Sequence, residues 1–108
     1  MNAAVNCVES YFSALSTADF NKAADYYSSS YGSSSEDRID KMKKLYDLTG
    51  DLLSWELIDS SMQKEAGEAA SITLTYKVKH RKVTTKEKYI IAPEEGKHLI
   101  IGQFVENQ

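Results

Sequence analysis

Residues 70 to 105 alternate apolar and polar side chains over three consecutive runs, and that alternation constrains the chain more than any other feature. The first run is Ser71-Ile72-Thr73-Leu74-Thr75-Tyr76-Lys77-Val78-Lys79, the second Thr84 to Ile91, and the third Leu99 to Val105. Pro93-Glu94-Glu95-Gly96-Lys97 separates the last two. A period of two between turn signals predicts antiparallel strands with one buried and one wetted face. Leu52 to Asp59 alternates in the same way, with Leu53, Trp55 and Leu57 in phase, and predicts a further strand reaching as far as Met62. Ala66-Gly67-Glu68 is the expected turn between that strand and the next. A sheet with one apolar face needs a cover, which the first half of the chain has to supply.

Val5, Val8, Phe12 and Leu15 recur at helical spacing and predict an amphipathic first helix. It ends at Ser16-Thr17-Ala18, and Asp19 is placed to cap a second helix whose apolar side holds Phe20, Ala23, Ala24 and Tyr27. Six serines among residues 28 to 35 form a loop that offers caps. Ser33 with Glu36, or Ser34 with Asp37, fits a capping box opening a third helix. Ile39, Met42, Leu45 and Tyr46 give that helix an apolar side, and Gly50 is its stop. Three helices followed by four antiparallel strands define an α+β chain, and 108 residues suffice for one domain, 1–108, with one core.

Thirteen basic against sixteen acidic residues leave a formal charge of -3, which gives no general attraction to nucleic acid or anionic membrane. No apolar run approaches the roughly 20 residues of a membrane span. The first residues show neither the basic start nor the apolar core of a secretory signal. The chain therefore reads as cytoplasmic as written, with an exported domain lacking its leader as the alternative. The single Cys7 excludes an internal disulfide and is compatible with both.

Two segments carry a resemblance. Val8-Glu9-Ser10-Tyr11-Phe12-Ser13-Ala14-Leu15-Ser16-Thr17-Ala18-Asp19-Phe20 resembles the helix, small–Asp–aromatic, helix opening of nuclear transport factor 2-like (cystatin-like fold) domains. Glu94-Glu95-Gly96-Lys97-His98-Leu99-Ile100 looks like their acidic–Gly–Lys–Trp–x–Ile last strand, with His98 where Trp is commonest. The resemblance covers nearly the whole chain and is nearest to the small, uncharacterised, often exported domains with a Thr/Lys/Tyr-rich hairpin. It implies a cone: three N-terminal helices on a bent four-stranded antiparallel sheet, with a pocket at the open end. That superfamily hosts isomerases, dehydratases and cyclases as well as non-catalytic binding and dimerisation modules, so the fold leaves the chemistry open.

Tyr11 lies in a segment similar to that of ketosteroid isomerases, whose tyrosine donates a hydrogen bond to a forming enolate oxygen. Those enzymes place a base soon after the second helix in an acidic–Pro context, where this chain has its serine loop. Two other carboxylates are candidate bases. Glu87 shares a phase with Val83, Tyr89 and Ile91, which puts it either in the pocket near Tyr76 and Tyr89 or at a wet strand end paired with a lysine. Asp25 is either a base or a solvated helix residue. Tyr11, Tyr27, Trp55, Tyr76 and Tyr89 are the expected pocket walls, since such rings combine apolar faces with polar tips. His80 and His98 lack metal-ligand spacing with each other and with Cys7, so no metal is expected, and no glycine-rich phosphate loop or cofactor motif is present. His80 is expected at a half-exposed hairpin tip and His98 as a cap on the core.

Lys77, Lys79, Arg81, Lys86 and Lys88 fall together on the polar face of the central hairpin. That face either binds an anionic ligand or acidic partner, or is solvated and balanced by Glu56, Asp59 and Glu106. Its charge argues against an apolar dimer contact there, so a homodimer would use another part of the sheet. Three functional readings result: a non-catalytic module binding a small, partly apolar ligand or a protein partner; an isomerase, dehydratase or cyclase using Tyr11 and a pocket carboxylate; and an interaction domain using the basic face.

Overall fold

A computed structural model describes residues 2–28, 35–63 and 70–107. Three helices, α1 (Asn2–Ser16), α2 (Phe20–Ala24) and α3 (Ser35–Thr49), precede four strands, β1 (Leu52–Gln63), β2 (Ser71–His80), β3 (Thr84–Glu94) and β4 (Lys97–Asn107). The strands form one antiparallel meander in the order β1-β2-β3-β4. The expected capping boxes at Ser33 and Ser34 and the turn at Ala66-Gly67-Glu68 lie outside the described residues.

The apolar stripe of α1 explains where the core sits. Ala4, Val8, Tyr11 and Phe12 are buried, and α1 packs across β1, β3 and β4. Phe12 is the hub: its ring lies 5.1 Å from that of Tyr76, 5.4 Å from Trp55 and 5.5 Å from Tyr89. Tilted and edge-on ring pairs at these separations add to the transfer free energy of burying each ring. From β2, Ile72, Leu74, Tyr76 and Val78 face α1; from β3, Tyr89 and Ile91 do.

The joint between α1 and α2 is a Schellman motif. The Asp19 N–H donates to the Ala14 carbonyl and the Ala18 N–H to that of Leu15, both at 2.9 Å. Ala18 occupies the left-handed position at φ 56°, where glycine is usual. Asp19 then caps α2, its Oδ1 accepting from the Lys22 N–H at 3.2 Å. Gly50 ends α3 at φ 79°. Glu95 and Gly96, both at positive φ, make the two-residue turn between β3 and β4.

Three details differ from the periodicity reading. Tyr27 is not on α2, which stops at Ala24. It bridges in parallel to Ile100, with the Ile100 N–H donating to Tyr26 O and the Ser28 N–H to Ile100 O. Pairing with the sheet satisfies the backbone groups that another helical turn would have used. On β1, Leu52 rather than Leu53 is buried, because a bulge between Leu52 and Ser54 inserts one residue and turns Leu53 outward. Arg81 leaves the lysine row: its guanidinium Nη2 meets Asp51 Oδ2 at 3.1 Å beside the β2–β3 loop. The four lysines remain on the outer face, with Lys77 opposite Lys86 and flanked by Glu56 and Glu106 on the adjoining strands.

Candidate functional site

Strand phase brings a set of polar groups onto the inner face. His80 follows Tyr76 and Val78 on β2, Thr85 and Glu87 precede Tyr89 on β3, and Gln103 stands opposite Tyr89 on β4. Glu87 is 4% exposed, and three protein donors cover its carboxylate. Tyr89 donates to Oε1 at 2.5 Å; Thr85 donates to Oε2 at 2.5 Å, and His80 Nε2 lies 3.0 Å from the same oxygen. A buried carboxylate is tolerated where its lone pairs are met by charge-assisted hydrogen bonds of this kind.

The network continues towards α1. Gln103 donates from Nε2 to the Tyr89 hydroxyl at 3.1 Å, and its Oε1 accepts from the Tyr27 hydroxyl at 2.6 Å. The Tyr27 and Tyr11 hydroxyls are 3.1 Å apart. One Tyr27 proton serves one acceptor; the shorter contact to Gln103 takes it, so Tyr11 is the donor to Tyr27. The bonds therefore run in one direction, from Tyr11 through Tyr27, Gln103 and Tyr89 to Glu87. Burial pushes the Tyr11 phenol up to about 12 and Tyr89 well above the ordinary value, where the Glu87 charge adds to the effect. Both phenols are thus neutral donors at physiological pH.

This network forms one wall of a cavity of about 150 Å³. The apolar lining comes from Leu15 of α1, Leu52 of β1, and Met42 and Leu45 of α3. Arg38, Lys41, Met42, Leu45, Tyr46 and Thr49 all line it, and their spacing of three and four is one face of α3. The cavity exists because α3 packs against α2 and approaches the sheet less closely than α1 does. Arg38 lies over the Tyr27 ring at 5.8 Å from its centroid.

Of the residues singled out in the sequence, Tyr11, Tyr27 and Glu87 meet at this cavity. Tyr89 stands behind it, its hydroxyl in the network. Tyr76 points to the other side of α1, where its hydroxyl donates to Glu9 Oε2 at 3.3 Å; burial and then the Glu9 charge raise it above the ordinary phenol range. Trp55 packs on Phe12 and does not line the cavity. Asp25 is exposed at the end of α2, on a broad open groove that also holds His98. Among the described residues, no group of three or more His, Cys, Asp or Glu could hold a metal ion. No described helix is long and apolar enough to cross a membrane.

Lining residues that the sequence reading did not place at a pocket include His80, Gln103, Arg38 and Lys41. His80 is buried rather than half-exposed, because its ring turns inward to Glu87. Its phase with Tyr76 and Val78 was the available signal. Gln103 was hidden by the bulge that leaves Ile101 without a partner on β3 and so shifts the phase of β4.

No protein-family model matches the chain. No curated protein matches it in sequence. Solved structures do match in fold. Bd1075 from Bdellovibrio bacteriovorus aligns at a TM-score of 0.63 and 13% identity over 94% of this chain, which spans only 38% of that protein. A protein from Xanthomonas campestris, described as a calcium/calmodulin-dependent protein kinase II association domain, aligns at 0.66 and 17% identity, covering 96% of this chain and 84% of its own. An NTF2-like protein of unknown function from Cytophaga hutchinsonii aligns at 0.54 and 17% identity, with coverages of 97% and 89%. At such identities the likeness is one of fold, and the chain folds as a nuclear transport factor 2-like domain, a cystatin-like cone of three helices on a four-stranded antiparallel sheet.

Proposed function

We propose that the domain is a non-catalytic module that binds a small, partly apolar ligand in the cavity between α3 and the sheet. One observation carries the reading: an apolar cavity of about 150 Å³ is walled on one side by convergent hydroxyl, amide and imidazole groups. A mostly apolar concavity with a few placed polar groups is the general form of a small-molecule site. A cavity of roughly 150 Å³ accommodates a benzene-sized body. Glu87 supports binding over catalysis, since Tyr89, Thr85 and His80 already occupy its two oxygens. Ligand-observed NMR with the neutral probes benzamide and benzyl alcohol tests the reading. Both are expected to bind, and Leu45→Trp, which fills the mouth from α3, is expected to abolish the signal while the domain stays folded. Absence of binding at millimolar concentrations, or binding indifferent to the plug, refutes it.

A second reading has its own observation. His80 Nε2 is held by Glu87, Nδ1 makes no hydrogen bond among the described residues, and the ring lines the cavity. A carboxylate-oriented imidazole lining the same cavity as a neutral phenol, Tyr11, can move a proton at a carbon next to a carbonyl. In this reading the domain is an isomerase- or dehydratase-type enzyme with His80 in the role first assigned to Glu87. Deuterium exchange into cyclohexanone, followed by NMR, is expected to exceed the buffer rate and to disappear in His80→Gln. Exchange at the buffer rate eliminates the reading.

A further inference from the structure

We infer that the cavity selects a small neutral ring carrying one hydroxyl group, a phenol or an aromatic alcohol, which donates its proton to Nδ1 of His80. The inference rests on the ligand-binding reading above and specifies its ligand class. Three observations lead to it.

The first is an open acceptor. His80 is 9% exposed, and its ring lines the cavity. Nε2 is taken by Glu87 at 3.0 Å, whereas Nδ1 makes no hydrogen bond among the described residues. Nδ1 is not fully enclosed by protein either, so it opens onto the space that the ring borders. A polar atom largely withdrawn from bulk water gains from a ligand that brings it a partner and loses from one that covers it with carbon.

The second is the direction of the bond on the other ring nitrogen. An ionised carboxylate only accepts, and Tyr89 and Thr85 already donate to the two Glu87 oxygens. Glu87 therefore takes its third hydrogen bond from an N–H at Nε2, and the neutral ring keeps its lone pair on Nδ1. The tautomer fixes what the wall offers at this point, which is an acceptor. A ligand ether, ketone or carboxylate oxygen would set lone pair against lone pair there, whereas a hydroxyl supplies the missing proton.

The third is the remaining lining and its size. Leu15, Met42, Leu45 and Leu52 present carbon to whatever enters. A cavity of about 150 Å³ holds one ring with a small substituent. Lys41 stands in the same lining, and its positive charge disfavours a cationic donor such as an ammonium group, which leaves a neutral one.

Phenol and fluorobenzene test this, since they share a ring and nearly a size and only phenol has a proton to donate. Ligand-observed NMR titrations on the full chain are expected to show phenol binding roughly fivefold tighter, the fold-change that one neutral hydrogen bond contributes. In 15N-labelled protein, phenol is expected to move the His80 Nδ1 resonance upfield and fluorobenzene to leave it in place, with His98→Gln separating the two histidine signals. His80→Phe removes the acceptor and is expected to abolish the preference. Phe also leaves Glu87 one donor short, so if His80→Phe fails to fold, the Nδ1 resonance of the wild type decides alone. Fluorobenzene binding as tightly as phenol, phenol binding with Nδ1 unmoved, or a preference that survives in folded His80→Phe overturns the inference and leaves the binding reading standing. Benzoate or benzylamine binding more tightly than phenol overturns the assignment to a neutral hydroxyl. Failure of phenol, fluorobenzene and benzamide alike overturns both readings.

Discussion

Coupling between Glu87 and Tyr89 is the sharpest test of the buried network. Tyr89 donates to Glu87 Oε1 at 2.5 Å, and both side chains are almost completely shielded from solvent. Glu87→Gln keeps the shape but turns three charge-assisted bonds into neutral ones, and it presents an NH2 to at least one existing donor. Each conversion costs about 1 kcal/mol, partly offset because a buried charge is also removed, so about 2 kcal/mol is expected. Tyr89→Phe removes the same contact from the other side and also deprives Gln103 Nε2 of its acceptor, for a similar loss of about 2 kcal/mol. Because one change weakens the shared bond and the other removes it, the double variant is expected to lose about 1 to 1.5 kcal/mol less than the sum. For 108 residues, an unfolding entropy of about 2.1 cal/mol/K per residue converts 2 kcal/mol into a fall in Tm of about 9 °C. Urea denaturation of wild type, both single variants and the double variant gives the four free energies needed. Additivity within about 0.3 kcal/mol would refute the coupled network.

Three further expectations concern the scaffold. Ala18→Gly relieves a left-handed alanine at φ 56° and is expected to stabilise the domain by about 0.5 to 1 kcal/mol, read as a Tm rise; an unchanged or lower Tm contradicts the assigned cap. Phe12→Ala empties the centre of the ring cluster and is expected to cost about 3 to 5 kcal/mol; a loss below 1 kcal/mol, seen in denaturant melts, contradicts its role as hub. Tyr11 has a folded value of about 12 against an ordinary 10.0, so its contribution to stability is complete below pH 10 and is lost as pH rises through 12. Tyr89 and Tyr76 are shifted in the same direction. Absorbance at the phenolate band is therefore expected to show these three tyrosines ionising only as the fold opens; a reversible titration near 10 with all seven tyrosines ionising in the folded state contradicts this.

Much of the architecture is determined by local pattern. Period-two alternation assigns the four strands, the Val5–Val8–Phe12–Leu15 stripe assigns the covering helix, and Asp19 marks the start of the next one because a carboxylate there can accept a helical N–H. The same local rules put Glu87 in phase with Tyr89 but left open whether it lies in the pocket or at a wet strand end. The cavity was beyond those rules. Whether Tyr76 or His80 reaches it depends on which side of α1 each lies, and whether Gln103 does depends on a bulge at Ile101. Arg38 and Lys41 became lining residues because α3 stands off the sheet, an outcome of packing among α1, α2 and the strands. Alternation reports only that a side chain faces inward. What it meets there is decided by elements distant in the chain, whose relative placement depends on burial and hydrogen bonding across the whole fold.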